Sequence, residues 1–381
     1  MGNKKFYFAL AILIGTIVGA GIFGIPYTIQ KSGIIPGLFY FFILGGAVLL
    51  LHLFFGEIVL RTKEKHRLIG YSQKYLGNWG KVLITISTIV GLVGTLLAYI
   101  ILGGNFLKIL FSPWLNLNSF YFSLFFWLIL VYFIFRGIKL IAPTELLTNF
   151  IFFSILFFIF CFALPKINLQ NFSPINLSNI FLPYGVILFA LAGWTAIPEI
   201  GEILKTPEER RNYKKVIITS ILIAIFFYLF FALTVVGVSG KNTSAEGLQG
   251  LLPFLGPKII FFGAFAAVIT LADSFLVIAL YLRNALIYDY KFPKWISAFF
   301  TTALPLILFL IGFRGFIETI GFVGTIIGVT EGVIIVLIFK NIKKLGNREP
   351  EYSLKIPSIL LYFLIAIFIL GAISQVVYPL K

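Results

Sequence analysis

The chain predicts an all-α, polytopic membrane protein. About eleven spans form two inverted halves of five, with the first and sixth broken and one helix outside the repeat. Three observations predict this. First, 60% of the 381 residues are hydrophobic, 12% are charged and the mean hydropathy is +1.04, whereas a soluble domain is about half apolar and a quarter charged. Second, the apolar residues come in runs of about 20, long enough to cross a hydrocarbon core of roughly 30 Å. Third, two of those runs carry a glycine near mid-length with a proline five residues on, Gly21/Pro26 and Gly193/Pro198.

The spans fall near 6–30, 34–60, 80–107, 119–135, 146–164, 181–203, 215–238, 258–286, 295–312, 316–339 and 356–378. The first follows Lys4 and Lys5. It is too long for a signal peptide, has no small-residue cleavage site and is followed by further spans, so it is read as a true span. Alternating the connections puts 23 of the 30 Lys and Arg on the side of the N-terminus. The positive-inside rule then places the N-terminus in the cytoplasm and the C-terminus outside, in a multi-pass protein of the cell membrane. The net charge of +16 is therefore a topology signal with contacts to anionic lipid, and not a nucleic-acid footprint.

Residues 1–381 are expected to form one transmembrane domain: a first repeat over about 6–164, a second over 181–339, and an extra helix over 356–378. The connections "RTKEKHRLIGYSQKYLGNWG" and "KTPEERRNYKK" are too short for a separate domain. "KNTSAEGLQG" reads as a polar external loop and "KKLGNREPEYSLK" as a polar cytoplasmic linker. Cys161 is the only cysteine, so no intrachain disulfide forms.

The stretch "GTIVGAGIFGIPYTIQKSG" places three glycines and a proline between Gly19 and Pro26, the residues that favour a helix least. "ILFALAGWTAIPEIGEIL" repeats the pattern five spans later, where the chain crosses in the opposite direction. Corresponding interruptions in two halves point to an inverted-repeat transporter. Unwound backbone at that depth survives where it is buried in protein or lines a cavity. Amides freed at a new half-helix favour an anion such as a carboxylate, and the freed carbonyls favour an ammonium or metal cation. A zwitterion suits both. Tight packing through small residues, or a simple proline kink, is the competing reading.

At these residues the chain resembles the amino acid–polyamine–organocation transporter superfamily, which has the LeuT-type fold. "GTIVGAGIFGIPYTIQKSG" is similar to its first-helix signature and "FALAGWTAIPEIGEILKTPEER" to its sixth. "ADSFLVIALYLRNAL" resembles the eighth helix of the aromatic and neutral amino acid permease branch. The resemblance implies that a substrate carboxylate meets the amides of Ala20, Gly21 and Ile22. It implies that the ammonium meets carbonyls of Ile17, Phe189, Ala190 and Ala192, and that Trp194 is an aromatic gate. Gly91 and Gly94 in the third span would leave room for a substrate side chain.

Asp273 lies near the middle of the eighth span, beside Thr270 and Ser274, where a bare carboxylate costs at least ~2.5 kcal/mol. The resemblance implies a sodium site between this helix and the first break. Asp273 and Ser274 would offer side-chain oxygens, and Gly15, Val18 and Thr270 carbonyls. Two other readings stay open for Asp273, a proton carrier and a structural carboxyl. The fifth span lacks the lysine that replaces sodium in some proton-coupled relatives.

Glu199 and Glu202 are expected to pair with basic residues, and Glu57 and Glu145 to sit at the interface beside Arg61 and Lys139. Glu331 lies deeper in the tenth span with no assigned role, and His52 and His66 show no metal-ligand spacing. No nucleophile–base pair or metal motif of a hydrolase is present, so the expected protein is no enzyme and carries no cofactor beyond sodium as a coupling ion. It is expected to be a sodium-coupled symporter of neutral or aromatic amino acids. A proton-coupled amino acid or polyamine permease, and a non-transporting sensor of the same fold, are the alternatives.

Overall fold

In lipid, main-chain polar groups must be satisfied within each segment, and helices do this. The structure, a computed structural model, describes residues 2–136, 142–288 and 291–377, and among them there is helix but no strand. The first span is α1 (Gly2–Ile17) and α2 (Gly21–Ser32), which meet at a bend of 53°. Next come α3 (Ile34–Leu60), α4 (Leu68–Leu76), α5 (Asn78–Phe111), α6 (Ser119–Arg136) and α7 (Ala142–Ala163). The sixth span is α8 (Leu182–Leu191) and α9 (Ile197–Ile203). It is followed by α10 (Pro207–Arg210), α11 (Tyr213–Ser239), α12 (Leu252–Leu255), α13 (Pro257–Tyr288), α14 (Lys294–Leu310), α15 (Phe316–Leu345) and α16 (Ser358–Val377).

Among the described residues, eight helices are long and apolar enough to cross a membrane, and the bent first span makes a ninth. Phe150–Lys166 and Lys294–Leu310 are shorter apolar helices, where the fifth and ninth spans are expected. Large apolar side chains such as Phe42, Phe150, Phe226 and Ile359 stand exposed on the outer faces. Lipid is the solvent that suits them. The interior is built around α8, α5 and α15. α8 is buried almost all round, as befits a helix that is apolar on every face.

Small residues let α8 and α15 approach closely. A Cβ on Gly185 would lie 2.1 Å from the Gly321 carbonyl oxygen, and one on Gly324 would lie 2.0 Å from that of Gly185. The same geometry corrects the reading of Gly91 and Gly94. Their missing side chains admit Ile327 and Val323 of α15, which a Cβ would meet at 2.5 and 2.2 Å. They seat a neighbouring helix and make no room for substrate.

Two connections are more structured than expected. α4 lies within the polar stretch after α3 and buries Leu68, Tyr71 and Tyr75. The linker before α16 is a strap laid over the end of α3. Fully buried Glu57 accepts from Arg61 Nε at 2.7 Å, the Leu354 amide at 2.7 Å and Ser353 Oγ at 3.1 Å. Glu57 is thus a structural anchor. The expected Glu145–Lys139 pair lies outside the described residues.

The loop between α11 and α12 folds inward. Glu246 is buried there, and one of its carboxylate oxygens has no partner among the described residues. Burial pushes its pKa up, so the native state holds this proton more tightly than the unfolded chain does. Its contribution to stability is complete below the ordinary glutamate value of 4.5 and is lost as pH rises through the raised value. Glu246→Gln should therefore unfold at a higher temperature than the wild type at neutral pH, and the gap should close in acid. A thermal-unfolding series across pH checks this, and parallel curves would contradict it.

Candidate functional site

The first interruption lies at Val18–Ala20. The Val18 amide still reaches Ile14 at 2.8 Å, but the Gly19 amide turns back to Ile17 at 3.0 Å and the Ile22 amide donates to Gly19 at 3.4 Å. A continuous helix would have sent those two amides to Gly15 and Val18. Among the described residues no backbone amide replaces them there. Gly21 opens α2, and Pro26 rides inside that helix instead of breaking it. In the sixth span, Ala192 turns extended at ψ 104°, Gly193 follows, and a 3-10 turn over Trp194–Ala196 leads into α9. Pro198 stands in the first turn of α9, where a missing amide hydrogen removes no helical bond.

The two breaks meet reciprocally. A Cβ on Gly21 would lie 2.6 Å from Ala190 Cα at the end of α8, and one on Gly193 would lie 2.3 Å from Ile17 Cγ1 at the end of α1. Each glycine therefore receives the helix end of the other half. Buried Tyr228 of α11 joins the two, its hydroxyl lying 2.7 Å from the Ile17 carbonyl and 2.6 Å from that of Ala190. These are two of the carbonyls expected to face a substrate ammonium. The Ala190 carbonyl keeps a second lone pair, whereas the Ile17 carbonyl also accepts from the Gly19 amide.

A cavity of about 300 Å³ opens beside this junction. Of the expected substrate residues, Ile17, Ala20, Gly21, Phe189, Ala192 and Trp194 line it, and Ile22 and Ala190 do not. Further lining by Ile12, Thr16 and Glu199 extends the cavity toward the side of the N-terminus. There Glu199 pairs with Arg67 at 2.9 Å, both exposed. On the other side of the breaks, Phe23 packs edge-on against Phe106, Phe152 and Phe231, with centroids 4.8 to 6.1 Å away. None of these four rings lines the cavity.

Trp194 is buried, and its Nε1 donates to Glu331 Oε2 at 2.6 Å. His52, also buried, meets the indole edge-on at 5.7 Å. Glu331 lines the cavity and accepts from Thr88 Oγ1 at 3.3 Å.

None of the expected sodium residues lines the cavity. Gly15 and Val18 sit at the first break with carbonyls relieved of helical donors. Thr270 is buried, and its hydroxyl has no partner among the described residues. Ser274 meets the Tyr99 hydroxyl, which also meets the Ala20 amide. Asp273 is half-buried and accepts from Thr148 of α7 at 3.1 Å. The structure thus connects Ser274 to the break through Tyr99 and ties Asp273 to the neighbouring α7.

Two interrupted spans of opposite direction, joined around one central cavity, define a membrane transporter of the LeuT-type fold. The chain belongs to the tryptophan/tyrosine permease family, which it matches over residues 2–375. It is similar to glutamine transporter 2 of Aliivibrio fischeri, at 20% identity over 362 residues and 93% of each chain. Its fold is similar to that of MhsT, in a crystal structure with L-phenylalanine, at a TM-score of 0.69. That match covers 97% of each chain at 14% identity, and the likeness is one of fold.

Proposed function

We propose that the protein is a secondary active symporter that carries a neutral or aromatic amino acid by alternating access, coupled to sodium. The observation that carries this reading is the reciprocal junction, where main-chain donors of α2 and acceptors of α1 and α8 border one cavity. Such a cradle holds a zwitterion at both ends. Membership in the permease family supports amino acid transport, and the similarity of the signature segments supports placement in the wider amino acid–polyamine–organocation superfamily. With a cytoplasmic N-terminus, the cavity faces inward. The spans 1, 2, 6 and 7 then rock against the spans 3, 4, 8 and 9.

Sodium is a co-substrate in this reading. The carbonyls at Gly15, Val18 and Thr270 and the side-chain oxygens of Asp273 and Ser274 are hard donors that suit it, and the Thr270 hydroxyl, without a partner among the described residues, is a further one. One charge crossing 100 mV releases ~2.3 kcal/mol, which sustains roughly a 50-fold substrate gradient. Proton coupling is the second reading, favoured by the place of Asp273, a carboxyl in the middle of a span that is turned toward α7. Uptake of labelled amino acid into proteoliposomes at fixed pH decides between them. Replacing sodium by choline is expected to reduce uptake at least ~10-fold, the equivalent of about 1.4 kcal/mol, and undiminished uptake rejects sodium coupling. Counterflow in the same vesicles separates a carrier from a sensor, which would bind substrate and accumulate none.

A further inference from the structure

The cavity wall holds two carboxylates among the described residues, and they differ in kind. Glu199 stands at the mouth, exposed and paired with Arg67. Glu331 is 4% exposed, at the middle of α15. Its donors are neutral, Trp194 at 2.6 Å on one oxygen and Thr88 at 3.3 Å on the other. Among the described residues no Lys or Arg forms an ion pair with it.

A carboxylate has about four acceptor sites, and leaving them unfilled in a buried place is costly. The helices packed against α15 supply two donors, and the cavity is the side from which another can come. The rest of the wall mixes apolar Leu92, Val277, Ile278 and Ile327 with the hydroxyl-bearing Thr95 and Tyr281, and Glu331 is the one buried carboxylate among the described lining residues. Trp194 connects the two ends of the space. It follows the break in the sixth span and holds Glu331 through its indole, while His52 steadies the ring from behind.

We propose that Glu331 is the side-chain subsite of this cavity. It favours amino acids whose side chain ends in an N–H or O–H donor, such as a carboxamide, an indole or a phenol, over those of equal size ending in carbon. An acidic side chain is disfavoured by like charge. This inference rests on the amino acid reading and adds the selectivity to it. A site built to accept a substrate donor penalises the analogue lacking one, because its own polar group is then left unpaired.

The test is competition binding to the full-length protein in lipid nanodiscs, with two matched pairs, tyrosine against phenylalanine and glutamine against methionine. Alanine, too short to extend far from the breaks, serves as the main-chain probe. The wild type is expected to bind the donor-bearing member of at least one pair about 10- to 100-fold tighter, the range of a hydrogen bond to a charged group. In Glu331→Gln and Glu331→Met that ratio should fall to about 3-fold or less, with a larger loss for the donor-bearing ligand than for alanine. Equal affinities in the wild type, or an unchanged ratio in both variants, overturn the subsite while leaving amino acid binding intact. A wild type that binds none of the five amino acids overturns the amino acid reading and the subsite with it.

Discussion

Gly21→Val is expected to abolish transport while leaving the protein inserted in the membrane. The Cβ would lie 2.6 Å from Ala190 Cα and 2.7 Å from its Cβ, and this is backbone that no rotamer change can clear. Ala190 is itself held, since it is buried and its carbonyl is bonded to Tyr228. Overpacking of this kind costs about 1–3 kcal/mol. Relief comes from parting α2 from α8, which takes the amides at Ala20 and Gly21 away from the acceptors across the cavity. Each charge-assisted bond lost to a zwitterion is worth about 1.5–3 kcal/mol, so amino acid affinity should drop at least ~10-fold per bond. Gly193→Ala is the milder case, because its Cβ meets the Ile17 side chain first, at 2.3 Å. Equilibrium dialysis with labelled substrate, on protein shown to be monodisperse, measures both. Wild-type affinity in Gly21→Val would contradict the packing described.

Tyr228→Phe should be the most damaging loss of a single hydroxyl. One hydroxyl hydrogen serves both carbonyls, and Ile17 also accepts from the Gly19 amide, so the loss falls chiefly on the buried Ala190 carbonyl, at about 1–3 kcal/mol for an unsatisfied group. The two carbonyls also lose the clamp that keeps the ends of α1 and α8 together. The expected results are a lower unfolding temperature in detergent and a raised substrate KM. The ring is kept, so no packing is removed and the effect belongs to the hydroxyl. Unchanged stability would show that the clamp carries no weight.

The positions of the helices were open to reading because each apolar run matches a bilayer crossing, and the breaks because Gly21/Pro26 and Gly193/Pro198 share a spacing. The causes were less legible. Pro26 looks like a breaker in the sequence but lies within α2, and it is the turn at Val18–Ala20 that interrupts the span. Tyr228 carried no signal, since one tyrosine in an aromatic-rich span reads like any core residue. Its importance comes from hydrogen bonds to residues 211 and 38 positions away. Glu331 was visible as a carboxyl deep in a span, whereas its link to Trp194 crosses 137 positions and depends on how closely α8 packs on α15. Gly91 and Gly94 were misread for the same reason: a missing side chain does not say whether a ligand or a neighbouring helix fills the space. Sequence periodicity reports local structure, and these partners are set by tertiary packing.

The account stands or falls on the paired breaks holding a dipolar solute by main-chain atoms. An experimental structure with the transported amino acid bound measures this most directly. The prediction is a ligand carboxylate within hydrogen-bond distance of the amides at Ala20 and Gly21, and an ammonium facing carbonyls at the ends of α1 and α8. Continuous α-helix through either Val18–Ala20 or Ala192–Ala196, or a ligand seated elsewhere with both ends on side chains, would contradict it.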